Sequence, residues 1–441
     1  MEQRGAGAVE RTGETITPSY EAGLDIPTEA ASVSAMTTSA GSPRRTLSNR
    51  ASFWTAASVV ALALWASGAP AMMYPLYTAE WNLTPAIITT IFAVYPISLV
   101  VTLIVFGSIS DYVGRRATLL VGVGFVALGI LMFAVAPGLP LLLAGRVLQG
   151  IGVGLAMAPA SAAMVEFSTS GTAARASSIN TASTALGLAL ATVVGGAFVE
   201  YGPLPMHLAF WLLLALSLGI FTTVWFMPSA APGTLTAGRW RPQSVGVPRG
   251  LRVIFAVSSL SIAAGFSMGA LLLSLGSQIA KDLIHTDNAL VAGSVLAVSA
   301  VTIGTTAILS RRIPPRISTA IGGVLTAIGM GLLALSAQQQ SLALFLVASL
   351  VAGAGYGLLF LGGLGLINRH APTHHRAATL SSVYLVAYLT QGIVAVAIGL
   401  TATRAGLEPA LDIWSPIIAG VCIAATALAL ASRPRRATVA A

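Results

Sequence analysis

The residues of this chain most able to do chemistry are few and unusually placed. Between Gly107 and Arg116 the sequence reads Gly-Ser-Ile-Ser-Asp-Tyr-Val-Gly-Arg-Arg. Asp111, Gly114, Arg115 and Arg116 thus crowd into a short junction between two apolar runs, Tyr95 to Phe106 and Ala117 to Val135. Charge beside hydrocarbon is expensive, so such a cluster points to paired function rather than decoration. Arg175 is the expected cation partner of Asp111, and Glu166 can join the same cluster. Arg146 is the one arginine well inside an apolar run. It must face the interior, water or a partner. No acid lies at similar depth, so backbone carbonyls or polar groups are its expected partners.

A third set lies in the middle of apolar runs. Tyr384, Tyr388 and Gln391 share one helical face at i, i+4 and i+7. Tyr95, Gln149 and Tyr356 lie at comparable depths. These six are the candidates for lining a substrate cavity. A lone tyrosine in such a run is more often packing or an interface anchor, and Tyr74, Tyr77 and Trp81 read as a membrane-interface belt.

The composition around these residues is that of a membrane protein. Of 441 residues, 56% are apolar and only 8% charged, with mean hydropathy +0.85. A soluble domain carries about 25% charge. The net charge of +9 is scattered over short loops in no patch or stripe, so nucleic acid is not an expected partner. Cys422 is the single cysteine, which excludes disulfides within the chain. No Walker-type glycine loop, metal-ligand cluster or Ser/His/Asp arrangement stands out. The expectation is a protein that is no enzyme and needs no cofactor or metal.

A spanning helix needs about 20 apolar residues. Twelve candidate spans fall at 53–76, 84–107, 117–136, 140–166, 174–199, 206–227, 252–276, 288–310, 317–337, 341–367, 377–402 and 411–432. Residues 1–51 read as a disordered tail without the apolar core of a secretory signal. Residues 228–251 read as a central loop joining two six-helix halves, 52–227 and 252–433, and 434–441 as a second tail. With the N-terminus inside, the inner loops and tails hold 20 of the 23 basic residues, while the outer loops keep Lys281 and Arg404. That bias puts both termini in the cytoplasm. Gly107…Arg115-Arg116 after span two is echoed by Gly304…Arg311-Arg312 after span eight. Such halves fit a transporter built from repeats around a midplane site.

Gly107-x-x-x-Asp111-x-x-Gly114-Arg115-Arg116 resembles motif A of the major facilitator superfamily. Leu143-x-x-Arg146-x-x-Gln149-Gly150-x-Gly152-x-Gly154 resembles its motif B, at the expected place in span four. With twelve spans and a central loop, the resemblance covers about residues 52 to 433. It implies the superfamily fold, an all-α membrane protein of two six-helix halves. It also implies that Gly107, Asp111, Gly114, Arg115 and Arg116, with Glu166 and Arg175, hold the outward-facing state closed on its cytoplasmic side. Tyr112 stands where the family often has arginine. The superfamily links the motif B arginine, here Arg146 with Gln149 and Gly150 beside it, to proton coupling; a hydrogen-bonding strut between helices is the alternative. Gly187-Leu-Ala-Leu-Ala191-Thr192-Val-Val-Gly195-Gly196 resembles the antiporter motif C, with Ala191-Thr192 where Gly-Pro is typical. Glycines 150, 152, 154, 353, 355 and 357 read as helix contacts more than as substrate contacts.

The expected activity is alternating-access transport of a small apolar or amphipathic molecule, with export driven by a proton gradient. Import by symport, uniport of a sugar or metabolite, and a transporter-like sensor are the alternatives. The expected partners are the substrate and the lipid bilayer, and a monomer is expected. Arginine outnumbers lysine 22 to 1, which hints at a GC-rich bacterial genome and a bacterial cell membrane.

Overall fold

The computed structural model describes residues 46–168, 173–229, 240, 247, 249–371 and 373–432, with backbone alone at 173–174, 249 and 373–378. The expected tails and most of the central loop therefore lie outside the described residues. Among the described residues twelve helices are long and apolar enough to cross a membrane, and no strand occurs.

In chain order the first six spans are α1 (Asn49–Gly68), α3 (Pro85–Phe106), α5 (Arg115–Ala134), α6 (Leu139–Glu166), α7 (Ala173–Tyr201) and α8 (Leu208–Trp225). Two short helices lie between them, α2 (Tyr74–Trp81) and α4 (Ile109–Val113). The second six are α9 (Arg252–Gln278), α10 (Ala289–Leu309), α11 (Pro315–Gln338), α12 (Leu342–His370), α13 (Thr373–Ala405) and α14 (Leu407–Ala431). We call the end of the bundle carrying Asn49 and Ala431 the near end.

Local chemistry sets these boundaries. Side chains of Ser48, Asn288 and Ser341 accept from the backbone N–H three residues on and start α1, α10 and α12. Pro85 and Pro315 occupy first-turn positions, where a missing N–H does no harm. The first span differs from its expected course. The sequence predicts a span continuous to residue 76, but α1 stops at Gly68, Pro70 lies in a 3₁₀ turn over Ala69–Met72, and a new helix begins at Tyr74 with Pro75 in its first turn. Two prolines within six residues remove the N–H groups a straight helix needs. At the far end of α9 the helix instead widens into a π turn over Ile279–Leu283.

With lipid as apolar as leucine, close backbone approach drives helix packing in a membrane. The glycine triplets show how. A Cβ added at Gly150 would lie 2.6 Å from the Tyr95 carbonyl of α3, and one at Gly154 would lie 2.9 Å from Thr102 of the same helix. At Gly152, between them, it would lie 2.6 Å from the Gly122 carbonyl of α5. In α12 the same plan recurs: Gly353 and Gly357 face Ser299 and Ile303 of α10 at 2.7 and 2.6 Å, and Gly355 faces Gly322 of α11 at 2.7 Å. The fourth span of each half is thus wedged against its second and third by the same three positions. Four residues before each triplet stand Arg146 and Ser349, both buried. Where the first half packs a guanidinium, the second leaves a narrow crevice bordered by Met268, Leu333, Ser349 and Ala352.

Candidate functional site

Arg146 is 1% exposed, and Gln149 one turn on is completely buried. One guanidinium nitrogen donates to the Ser67 carbonyl at 2.8 Å and to Gln149 Oε1 at 3.2 Å; the other donates to the Tyr74 hydroxyl at 2.5 Å. The rings of Tyr95 and Phe133 flank the charge at 5.8 and 5.7 Å. The cation therefore has a carbonyl, a phenol, an amide and two aromatic faces instead of a carboxylate, and cation–π contacts gain strength when desolvated. Carbonyl and polar partners match the expectation from the sequence. Tyr74 does not match: it is fully buried and holds Arg146, and Tyr77 is 1% exposed, so neither belongs to an interfacial belt. The break in α1 turns both rings inward. Arg146 thereby braces α6 against the end of α1 and against α2, which packs on α9 of the other half.

The mid-span aromatics gather in the second half. Tyr388 of α13 meets Phe266 of α9 edge-on at 4.9 Å, and Tyr356 of α12 meets the same ring at 6.0 Å. Phe360 lies parallel to Phe266 at 6.3 Å, and Tyr384 joins Phe360 at 6.4 Å and Tyr388 at 6.3 Å. Gly265 and Gly269 give the Tyr356 ring its seat on α9. Tyr95 stands on the opposite half, on α3, which packs against α13. Of the six cavity candidates, Tyr356, Tyr384, Tyr388 and Gln391 are brought together and Tyr95 faces them, whereas Gln149 belongs to the Arg146 centre. Sequence reading missed Phe266 and Phe360. The spacing of Phe360 four residues after Tyr356 was the available signal.

The two halves are joined above this cluster at the far end. Ser277 donates to the Ala71 carbonyl at 2.6 Å, linking α9 to the broken end of α1. The Ala86 N–H donates to Thr403 at 2.9 Å, linking α3 to α13. The Ala289 N–H at the start of α10 donates to the Glu200 carboxylate at 2.8 Å, where the helix dipole favours an anion, and Asn288 donates to Tyr201 at 3.2 Å. Glycines make the seams tight: a Cβ at Gly196 would meet the Ala289 carbonyl at 2.5 Å, and Gly293 and Gly399 press as closely on Thr192 and Thr89. Gly187 and Gly195 of the motif C-like stretch pack on Ala61 and Met72, so that stretch serves helix contact. At the near end Arg311, in the 3₁₀ turn just past α10, donates to Ser178 of α7.

In this arrangement one pair of the near-end charge cluster is formed among the described residues. Glu166 pairs with Arg115, which also donates to the Ala162 carbonyl at 3.2 Å. Arg116 lies over the Trp225 ring at 5.9 Å. Asp111 and Arg175 are exposed, and neither has an ion-pair partner among the described residues. The cause is local geometry. Gly107 ends α3, α4 carries Asp111 outward, and Gly114 turns the chain at φ 93°, which a residue with a Cβ rarely adopts. That turn brings Arg115 onto the end of α6. The Arg115–Glu166 pair is solvent-exposed and worth about 0–1 kcal/mol. An expected outcome follows for Asp111→Asn. With no partner in this arrangement, stability should change by less than about 0.5 kcal/mol, while transport falls because a pair formed only when the near end closes is lost. Thermal unfolding beside a liposome flux assay checks both, and full flux in the folded variant would remove Asp111 from the gate.

Comparison with known proteins agrees with this architecture. The Major Facilitator Superfamily model matches residues 56–389 and again 257–441. Probable polyol transporter 6 of Arabidopsis thaliana is 31% identical over 111 residues, a match covering 25% of this chain and 22% of that protein. The crystal structure of a mutant of the nucleoside transporter NupG is similar at TM-score 0.69 and 13% identity, over 86% of this chain and 98% of that one. A bacterial homologue of the human lysosomal transporter Spinster, inward-facing and unoccupied, is similar at TM-score 0.71 and 16% identity, over 90% of this chain and all of that one. The family model covers most of the chain and the twelve spans pack as the family's do, so this chain belongs to the Major Facilitator Superfamily of membrane transporters.

Proposed function

We propose that the protein is a secondary transporter of a bacterial cell membrane that exports small apolar or amphipathic molecules in exchange for protons. The near end is the cytoplasmic one, which the distribution of arginine supports. The observation that carries the reading is a mid-span aromatic cluster of the second half, together with seams between the two halves that are hydrogen-bonded at the far end. Breaking those seams while closing Asp111 and its neighbours at the near end would present the cluster to the other side, which is alternating access. The molecule moved is small because one aromatic cluster receives it. It is apolar or amphipathic because the site's lining is ring faces with few polar groups.

One observation favours uniport as a second reading. Every acid among the described residues, from Glu80 to Asp412, lies outside the spans or in the first or last two turns of one, whereas a proton carrier commonly uses a mid-span carboxylate. The experiment uses inverted vesicles holding the protein, energised to be acid inside, with a pH-gradient dye and a panel of amphipathic compounds, sugars and metabolites. Dissipation of the gradient by one class of compound, only when the protein is present, supports antiport. Radiolabelled flux down a gradient with no proton movement would replace it with uniport.

A further inference from the structure

The aromatic cluster carries a statement about substrate class that the family leaves open. Its walls are five rings from three helices: Phe266, Tyr356, Phe360, Tyr384 and Tyr388. Tyr356, Phe360, Tyr384 and Tyr388 are half-buried, so part of each ring stays open beyond the contacts the rings make with one another. Its polar equipment is small. Gln391 is 8% exposed, and its Nε2 would lie 3.9 Å from a Cβ at Gly269; the Tyr356 hydroxyl would lie 4.0 Å from that same point. Among the described residues, no hydrogen bond engages the Gln391 amide or the hydroxyls of Tyr356, Tyr384 and Tyr388. A nearly buried amide without a protein partner, beside a phenol in the same position, is a pair of groups left for a ligand.

Three ligand chemistries can be weighed against this lining. A polyol would bring a hydroxyl on nearly every carbon, and each one buried without a partner weakens binding; one amide and three phenols are too few. An organic cation would be drawn to the ring faces. Yet among the described residues the one buried charged side chain is Arg146, which lies over the Tyr95 ring of α3, and the spans carry carboxylates only toward their ends. In a low-dielectric interior that uncompensated charge repels a second cation. A flat, uncharged aromatic molecule meets neither penalty. Its rings stack on the tyrosines and phenylalanines in offset or edge-on geometry, and one or two heteroatoms meet Gln391 and Tyr356.

We infer that this site takes neutral, planar aromatic or heteroaromatic molecules with one or two hydrogen-bonding atoms, and discriminates against permanent cations of the same shape and against polyols. The inference rests on the transport reading for its biological direction, but the binding it describes does not depend on turnover.

The test is equilibrium binding to the full chain in lipid nanodiscs, with three probes at a pH where the isoquinoline nitrogen is unprotonated. These are isoquinoline, N-methylisoquinolinium (the same rings with a fixed charge) and sorbitol. Isoquinoline should bind saturably and at least tenfold tighter than its methylated cation, with sorbitol showing no saturable binding at the same concentrations. Tyr388→Leu removes a ring and its hydroxyl, and should weaken isoquinoline at least fivefold. Gly219→Ala, on α8 away from the cluster where a Cβ meets nothing within 4 Å, should bind like the parent. Gly269→Val extends toward the Tyr356 hydroxyl and Gln391, and should weaken binding at least as much as Tyr388→Leu. Thermal unfolding reports which variants fold, and Tyr384→Leu stands in for one that does not. Equal or tighter binding of the cation, preferential binding of sorbitol, or isoquinoline binding indifferent to the ring and valine variants would overturn the assignment. The expected binding order without any response in the vesicle assay leaves this site standing and overturns proton-coupled transport. A vesicle response to compounds whose binding ignores these variants does the reverse.

Discussion

Arg146→Ala should fold and yet carry substrate at less than about a hundredth of the parent rate. The substitution removes three hydrogen bonds, to Ser67, Gln149 and Tyr74, and strands a buried phenol and amide. Each stranded group costs about 1–3 kcal/mol. It also removes an uncompensated buried cation, whose desolvation is itself unfavourable by several kcal/mol. These terms oppose each other, so the change in stability should stay within about 3 kcal/mol. Function has no such offset. The guanidinium is what connects α6 to Tyr74 in α2, and α2 packs against α9 where the halves meet. Arg146→Lys should not rescue, because a single ammonium cannot span acceptors that the planar fork reaches on two branches. Tyr74→Phe keeps the ring and loses one bond, and should lower flux about tenfold or less. The measurement is flux per folded protein in liposomes, with the folded fraction read separately. If flux tracks the folded fraction across all three variants, so that folded Arg146→Ala keeps the parent flux, Arg146 is a structural strut and no part of the transport machinery.

The second large effect comes from locking the far end. Ala71 and Ser277 already meet through a hydrogen bond across the halves. In Ala71→Cys/Ser277→Cys, oxidation should join α9 to the end of α1 and stop transport almost completely, with recovery on reduction. Cys422 is fully buried in α14 and should take no part in the crosslink. Each single variant should transport normally under the same oxidant. Unimpaired flux in protein shown to be crosslinked would mean that this seam does not open during the cycle. The prediction is all-or-none because a seam that must part once per turnover cannot be bypassed.

Much of this was legible in the sequence because hydropathy and arginine placement are strong signals in lipid. The α3, α6 and α11 spans begin and end within two residues of their expected limits. Motif glycines were legible too, since close approach leaves few alternatives. What the sequence did not disclose has a common cause. Tyr74 looked like an interfacial ring because spacing does not show that Pro70 and Pro75 turn the chain inward. That Glu166 takes Arg115 in this arrangement was not legible, because sequence order does not show which way Gly114 swings the chain. Phe266 looked like one more apolar residue of α9, and only the packing of three helices makes it the centre of the aromatic cluster.

The contrast between Arg146 and Ser349 also bears on how the protein is made. An α6 entering the bilayer alone would carry its arginine against a penalty of about 2.5–3.5 kcal/mol on insertion scales. Ser67 and Tyr74, which take up that charge, belong to a segment the ribosome completes earlier, so they stand ready when α6 arrives. The first half is therefore bound to an order of assembly, with α1 and α2 in place before the fourth span can settle. The fourth span of the second half bears a serine at the matching position and is free of that schedule.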